Sequence, residues 1–350
     1  MARTHRLDAG ADTVHWGYFD AKLPPILTID SGDTVTISTV SGGREMMPPP
    51  PLVVPDALAE VQARTTPKLP GHICTGPVAV RGAKPGQVLM VRIKSVELTY
   101  DWGYNHSGPL TGALPDDFPE RRIMHIILDR RRMTGRLPWG LEIPLRPFFG
   151  VMAVAPPAAW GSVSTLPPRR NGGNLDNKEL VAGTTLYLPI HVQEALFSVG
   201  DGHGAQGDGE VCVTAIETGL VGSFELIVRD DLTLEWPRAE TPTHVMTMAF
   251  DPDLDDCVVI ALCQMVAGGA RSRHRPAGGL HAVQPCCRPA HHPGSQRLQG
   301  RSRHAGEAVP REVVRGHCPA DLTAGIIQKL TSLGWPCVAI DKSEQHTAFG

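Results

Sequence analysis

Residues 24–40, PPILTIDSGDTVTISTV, alternate apolar with polar or β-branched positions about a Ser-Gly-Asp turn. That period-2 pattern predicts two strands, or one strand with its entry turn. After the Pro-rich MMPPPPLVVP, which is extended rather than helical, residues 71–99 read GHICTGPVAVRGAKPGQVLMVRIKSVELT. They predict a strand, a turn at Lys84-Pro85-Gly86-Gln87, and a long strand with Val88, Met90 and Arg92 on one face and Leu89, Val91 and Ile93 on the other. Residues 100–140 show no sustained period and predict irregular structure. From 180 the β pattern resumes in ELVAGTTLYLPIHV, then EVCVTAIETG, then GSFELIVRDDLTLEWP. Helix signals are sparse until DPDLDDCVVIALCQM at 251–265, where acidic residues precede an apolar run as a helix N-terminus favours. The expected fold is mainly β with some α.

Composition narrows this picture. Gly 37 plus Pro 32 is 69 of 350 residues, which argues against a helical bundle, while 41% hydrophobic and 20% charged residues are those of a globular chain. A chain of 350 residues suits two modest domains or one large β-domain with insertions. No apolar run approaches the roughly 20 residues of a membrane helix, and the N-terminus MARTHRLDAGADTVHW has no signal-peptide core. The expectation is a cytoplasmic protein with no membrane partner. The basic run DRRRMTGR at 129–136 has no interleaved aromatics, so a solvated turn is favoured over a nucleic-acid contact. Four cysteines (Cys74, Cys212, Cys257, Cys263) precede Met265 without a CxxC pair, so neither a disulfide framework nor a thiolate zinc site is indicated.

The segment richest in chemistry is LFSVGDGHGAQGDGE at 196–210. It sets Asp201, His203, Gln206, Asp208 and Glu210 among five glycines, and reads as a glycine-rich loop between two strands. Asp201 and His203 can give a carboxylate and an imidazole to one ion, with further ligands from Asp208, Glu210 or a distant residue. His15, in TVHWGYFD, is that distant candidate ligand, although a lone histidine beside aromatics is more often a packed core residue. Asn174 and Asp176 in NGGNLDNKE could bind an amide, as could Gln206, and equally could form turns. Glu217, Glu194 and His72 are acid/base candidates. No GxxxxGK[ST], no GxGxxG between strand and helix and no GxSxG elbow occurs. A structural cation loop in a non-catalytic metal- or carbohydrate-binding β-sandwich stays open beside the catalytic reading.

GHICTGPVAVRGAKPGQVL, PLRPFFGVMAVAP at 144–156, the run from Gly172 to Glu217 containing GDGHGAQGDGE, and ETPTHVMTMAFDPDLD at 240–255 together resemble the acetamidase/formamidase family. The likeness covers about residues 10–264. It implies a β-sandwich-rich fold, hydrolysis of short aliphatic amides to carboxylic acid and ammonia, and a homo-oligomer, dimer or trimer. On this reading Asp201, His203 and His15 hold a divalent metal, zinc or else calcium. Glu210, Asp208 and Glu217 supply acid/base catalysis, with metal-activated water as nucleophile, and Asn174, Asp176 and Gln206 face the substrate.

The last quarter of the chain differs in kind. From Met265 eleven Lys or Arg stand against five Asp or Glu, a net of +6, which leaves the preceding 264 residues at −9 of the total −3. Residues 265–318 hold nine Arg and no Phe, Trp or Tyr. Such a stretch cannot bury enough surface to offset chain entropy and is expected to be disordered. Reverse translation advanced by one base, with third positions free, permits GIDRQEAYMLCSLAADLRITQVVNG followed by KG, which is amphipathic and resembles the family's C-terminal region. The expectation is a catalytic region over 1–264, followed over 265–350 by a tail whose coding frame has slipped near Met265.

Overall fold

The computed structural model describes residues 2–271 and 339–341. The tail singled out above otherwise lies outside the described residues. Two compact units are distinguished, one running to Thr241 and a second beginning at Pro242.

The first unit is built on two large sheets. One has the strand order Thr4–Leu7, Thr34–Ser38, Leu220–Arg229, Val88–Leu98, Thr185–Pro189, Arg238–Glu240. The other orders Gly172–Asn174, Phe148–Ala153, Phe197–His203, Ile73–Val80 and Val14–Trp16, with Leu27–Ile29 parallel to Ile73–Val80. Thr34–Ser38 and most of Leu220–Arg229 alternate buried and half-buried residues, as one-face burial demands. By contrast Ile73–Val80, Phe148–Ala153 and Phe197–His203 are buried at every position, because protein covers both faces of these strands. The two sheets meet through aromatic rings: Phe224 lies 5.5 Å from Phe149 and 5.8 Å from Phe197. This is a mainly β, sandwich-type core.

Three expectations are corrected. Residues 100–140 are not irregular: Trp102–Ser107, Arg122–Asp129 and Thr134–Arg136 join Glu142–Pro144 in a four-stranded antiparallel sheet. Hairpin pairing there needs little apolar alternation, since Ile127 is 56% exposed. DRRRMTGR supplies its turn, where Asp129 Oδ1 accepts from Arg131 N (3.0 Å) and Arg132 N (2.9 Å). A helix at Asp56–Arg64, following Pro55 and burying Leu58, Val61 and Gln62, was not signalled. EVCVTAIETG forms no regular strand: Glu210 and Val213 take φ of 44° and 67°, and only Glu217 makes bridges, to Tyr104 and His203.

In the second unit the strand His244–Thr247 pairs antiparallel with Ala339–Asp341. The predicted late helix runs Leu254–Arg271 with Asp255 and Asp256 in its first turn. Thr247 Oγ1 donates to Ala261 O at 2.8 Å. No helix among the described residues is long and apolar enough to cross a membrane.

Candidate active site

Asp201 and His203 are not on a loop. They close the strand Phe197–His203, paired on one side with Phe148–Ala153 and on the other with Ile73–Val80. The glycines between them serve close approach rather than flexibility: a methyl on Gly200 would collide with Ile73 O, and one on Gly202 would come within 2.5 Å of Thr218 O. Asp201 itself takes φ 57°, in the left-handed region, where a non-glycine residue is uncommon.

Asp201, His203 and Glu217 are all buried, with His203 at 0% exposure. His203 Nε2 lies 3.2 Å from Asp201 Oδ2 and 3.3 Å from Glu217 Oε1, yet it is buried without a well-directed hydrogen bond. Glu217 Oε1 also accepts from Ala215 N at 3.0 Å. A second group, Asp176, His203 and Glu210, brings its ligand atoms within 4.8 Å of one another, as does the first. The carboxyls crowd in pairs, Asp176 beside Glu210 and Asp201 beside Glu217, with Glu210 opposing the ionisation of Asp176 and Asp201 that of Glu217. Two oxygens that both only accept when ionised can pair this way only if a proton or a cation joins them.

The electrostatics follow from this crowding. Burial alone would depress His203, but Glu217 and Asp201 outweigh it and hold the imidazole well above its ordinary value. Burial, then the neighbouring Glu217 and Asp201, push Glu210 up to about 8. Burial and Glu210 likewise raise Asp176, and burial with Asp201 raises Glu217. Burial opposes ionisation of Asp201, but His72 and His203 prevail and keep it below the usual carboxylate range.

The other candidates divide, and only Gln206 joins the cluster. His15 is buried away from this cluster, with Nδ1 2.6 Å from Tyr18 O and Nε2 2.9 Å from Ser198 Oγ. Both ring nitrogens are thus met by neutral groups, and His15 belongs to neither group of metal-capable side chains. Asp208 pairs with Lys178 at 2.9 Å, its side chain half exposed. Asn174 Nδ2 donates to Leu166 O (3.1 Å). Gln206 bridges His203 Nδ1 (2.9 Å) and Asp176 O (2.8 Å).

Two residues enter that motif reading left aside or unplaced. His72 Nε2 lies 3.7 Å from Asp201 Oδ2, with about a quarter of its side chain exposed. Gly150 forms the floor of the site: a methyl there would run into Asp201 Oδ2 and reach 2.8 Å from His203 Cε1 and 2.9 Å from Asp176 Oδ1. Its carbonyl accepts from Leu175 N (2.8 Å) and Asp176 N (3.2 Å). A glycine inside the apolar run PLRPFFGVMAVAP was the available signal.

The profile of the Acetamidase/Formamidase family matches residues 7–162 and 157–235, which span the whole of this site. The chain belongs to the acetamidase/formamidase family. It is 29% identical to the formamidase of Methylophilus methylotrophus over 194 residues, 40% of this chain and 47% of that one. It is also 29% identical to the acetamidase of Mycolicibacterium smegmatis over 200 residues, 41% of this chain and 49% of that one. The chain thus spans about half the length of these curated relatives. Among solved structures, an acetamidase from Bacillus halodurans superposes with a TM-score of 0.67 at 27% identity, over 78% of this chain and 88% of that one. An acetamidase/formamidase from Thermoanaerobacter tengcongensis gives 0.66 at 28% identity, over 77% and 84%.

Proposed function

We propose that this chain hydrolyses short aliphatic amides, formamide and acetamide among them, to the carboxylic acid and ammonia. The observation that carries this reading is the convergence of Asp176, Asp201, Glu210 and Glu217 on one buried imidazole. Family membership and the formamidase and acetamidase relatives support it.

A buried Nε2 facing two carboxylate oxygens suits a cation, and Asp201, Glu217 and His203 would hold it. An imidazole among the donors favours zinc over calcium, which prefers all-oxygen sites. Such an ion supplies Lewis acidity toward an amide carbonyl and makes water more acidic. Glu210 does the proton work. Its carboxyl, beside the residues that would hold the ion, takes a proton from water and returns it to nitrogen. The water oxygen bonds the carbonyl carbon, the C–N bond breaks with its electron pair passing to nitrogen, and the proton carried by Glu210 completes ammonia. Asp176, whose carboxyl lies within 4.8 Å of that of Glu210, orients it. His72 gives the cluster its partly exposed edge.

The same proposal covers assembly as a dimer or trimer, which light scattering reads, and a displaced coding frame after Met265. Sequencing the gene across that codon and finding the same frame in close relatives would remove the second. The test of function is ammonia release from formamide, acetamide and propionamide, with and without a chelator, for this chain and for one with the frame restored. Release that chelation abolishes is expected. No release from either chain, folded and loaded with zinc, favours the structural cation site instead.

A further inference from the structure

Gln206 sits three residues beyond His203, where the chain leaves its strand, and its side-chain amide is held at both ends. Nε2 donates to the main-chain carbonyl of Asp176 at 2.8 Å, and Oε1 lies 2.9 Å from His203 Nδ1. The orientation of this amide follows from chemistry. A carbonyl oxygen only accepts, so the end facing Asp176 O must be the NH2 end; the reverse sets two acceptors against each other. The end left for His203 is therefore an acceptor, and Nδ1 must carry the proton it receives.

This decides what the other ring nitrogen can do. With Nδ1–H committed, only Nε2 can act as a donor to a cation, and it faces Asp201 Oδ2 and Glu217 Oε1 at 3.2 and 3.3 Å. The ring plane is fixed as well: Phe148 stands edge-on to it at 5.0 Å and 84°, and the missing side chain of Gly150 leaves room at Cε1. Both acidic groups that share His203 bring their ligand atoms within 4.8 Å of one another, but they are not equivalent.

We propose that Gln206 is a positioning residue that fixes the ring-nitrogen assignment of His203, so that the imidazole serves a cation on the Asp201–Glu217 side and leaves Asp176 and Glu210 to move protons. Orienting partners of this kind commonly govern metal affinity although they touch no metal. Gln206 is then not a substrate contact. The cation half of the proposal rests on the function proposed above; the ring-proton half does not.

The experiment uses protein labelled with 15N at histidine, observed by NMR without metal and after loading with zinc. In both states the wild-type chain is expected to show a slowly exchanging proton on His203 Nδ1, and zinc is expected on Nε2. Gln206→Leu removes the acceptor, so the slow exchange is lost and zinc affinity falls by about 10–100-fold. Gln206→Glu keeps an acceptor at Nδ1 and is expected to restore the protected proton, although it loses the donor to Asp176 O. A wild-type ring bare at Nδ1, or zinc on Nδ1, overturns the proposal even if no variant folds. Zinc affinity unchanged in folded Gln206→Leu overturns it too. A protected Nδ1–H in a protein that binds no zinc upholds the ring assignment and defeats the cation reading instead.

Discussion

His15 and His203 are both buried in the same six-stranded sheet, and they show how differently one side chain can be used. His15 meets neutral partners, a main-chain carbonyl and the Ser198 hydroxyl, so both nitrogens are engaged without any charge. Burial pushes its pKa down to about 4, against a smaller pull from Tyr18 O, and the ring is neutral at ordinary pH. His203 is held on the same strand as Ser198, five residues later, and meets carboxylates on several sides. It is held well above its ordinary value although burial opposes this. The difference lies in the partners, not in depth. A buried histidine closed by neutral groups is architecture, whereas one ringed by acids calls for a cation or a proton.

The comparison can be broken most forcefully at Glu210. Glu210→Gln is expected to lower amide turnover by about 10²–10⁴-fold while zinc binding measured by competition with a chromogenic chelator persists. Loss of binding instead would place Glu210 among the ligands. Gly150→Ala comes next. Its backbone lies outside the left-handed region, so alanine adds no backbone strain, but the methyl meets Asp201, His203 and Asp176 together. Turnover should drop by about 10²-fold with an unchanged far-UV spectrum, and turnover equal to wild type would show that the floor has slack.

On the other side, His15→Ala should cost about 1–3 kcal/mol of stability by stripping a partner from buried polar groups, with kcat per folded molecule unchanged. A fall in kcat would return His15 to the site. A last test concerns pH. The folded-state pKa of His15, about 4, lies below its ordinary 6.5, so between these values the unfolded chain binds the extra proton. Its contribution to stability is complete above pH 6.5 and lost as pH falls toward 4. Denaturant melts of wild type and His15→Gln should converge over that window, and parallel curves would contradict the assignment.

Much of this was legible before the structure. The strands at 73–80 and 88–98 followed from the turn residues at 84–87 and the two-faced pattern beyond them, and Asp201, His203, Glu210 and Glu217 were all singled out by type. What could not be read was which of them meet. Asp176 reaches the cluster because Gly150 O accepts from its backbone, a contact between residues 26 apart that no local spacing encodes. Asp208 looked as capable as Glu210, but its side chain is half exposed and pairs with Lys178, whereas Glu210 groups with Asp176 and His203. The glycines of 200–204 read as a flexible loop because composition registers their freedom and not the neighbouring carbonyls that demand it.

The central claim is that the His203 grouping, and not His15, holds a cation. Zinc titration of the wild-type chain, His203→Gln and His15→Gln tests it most directly. The account predicts a tight zinc in wild type and His15→Gln, and its loss in folded His203→Gln. Zinc retained by His203→Gln, or lost from His15→Gln, would contradict it.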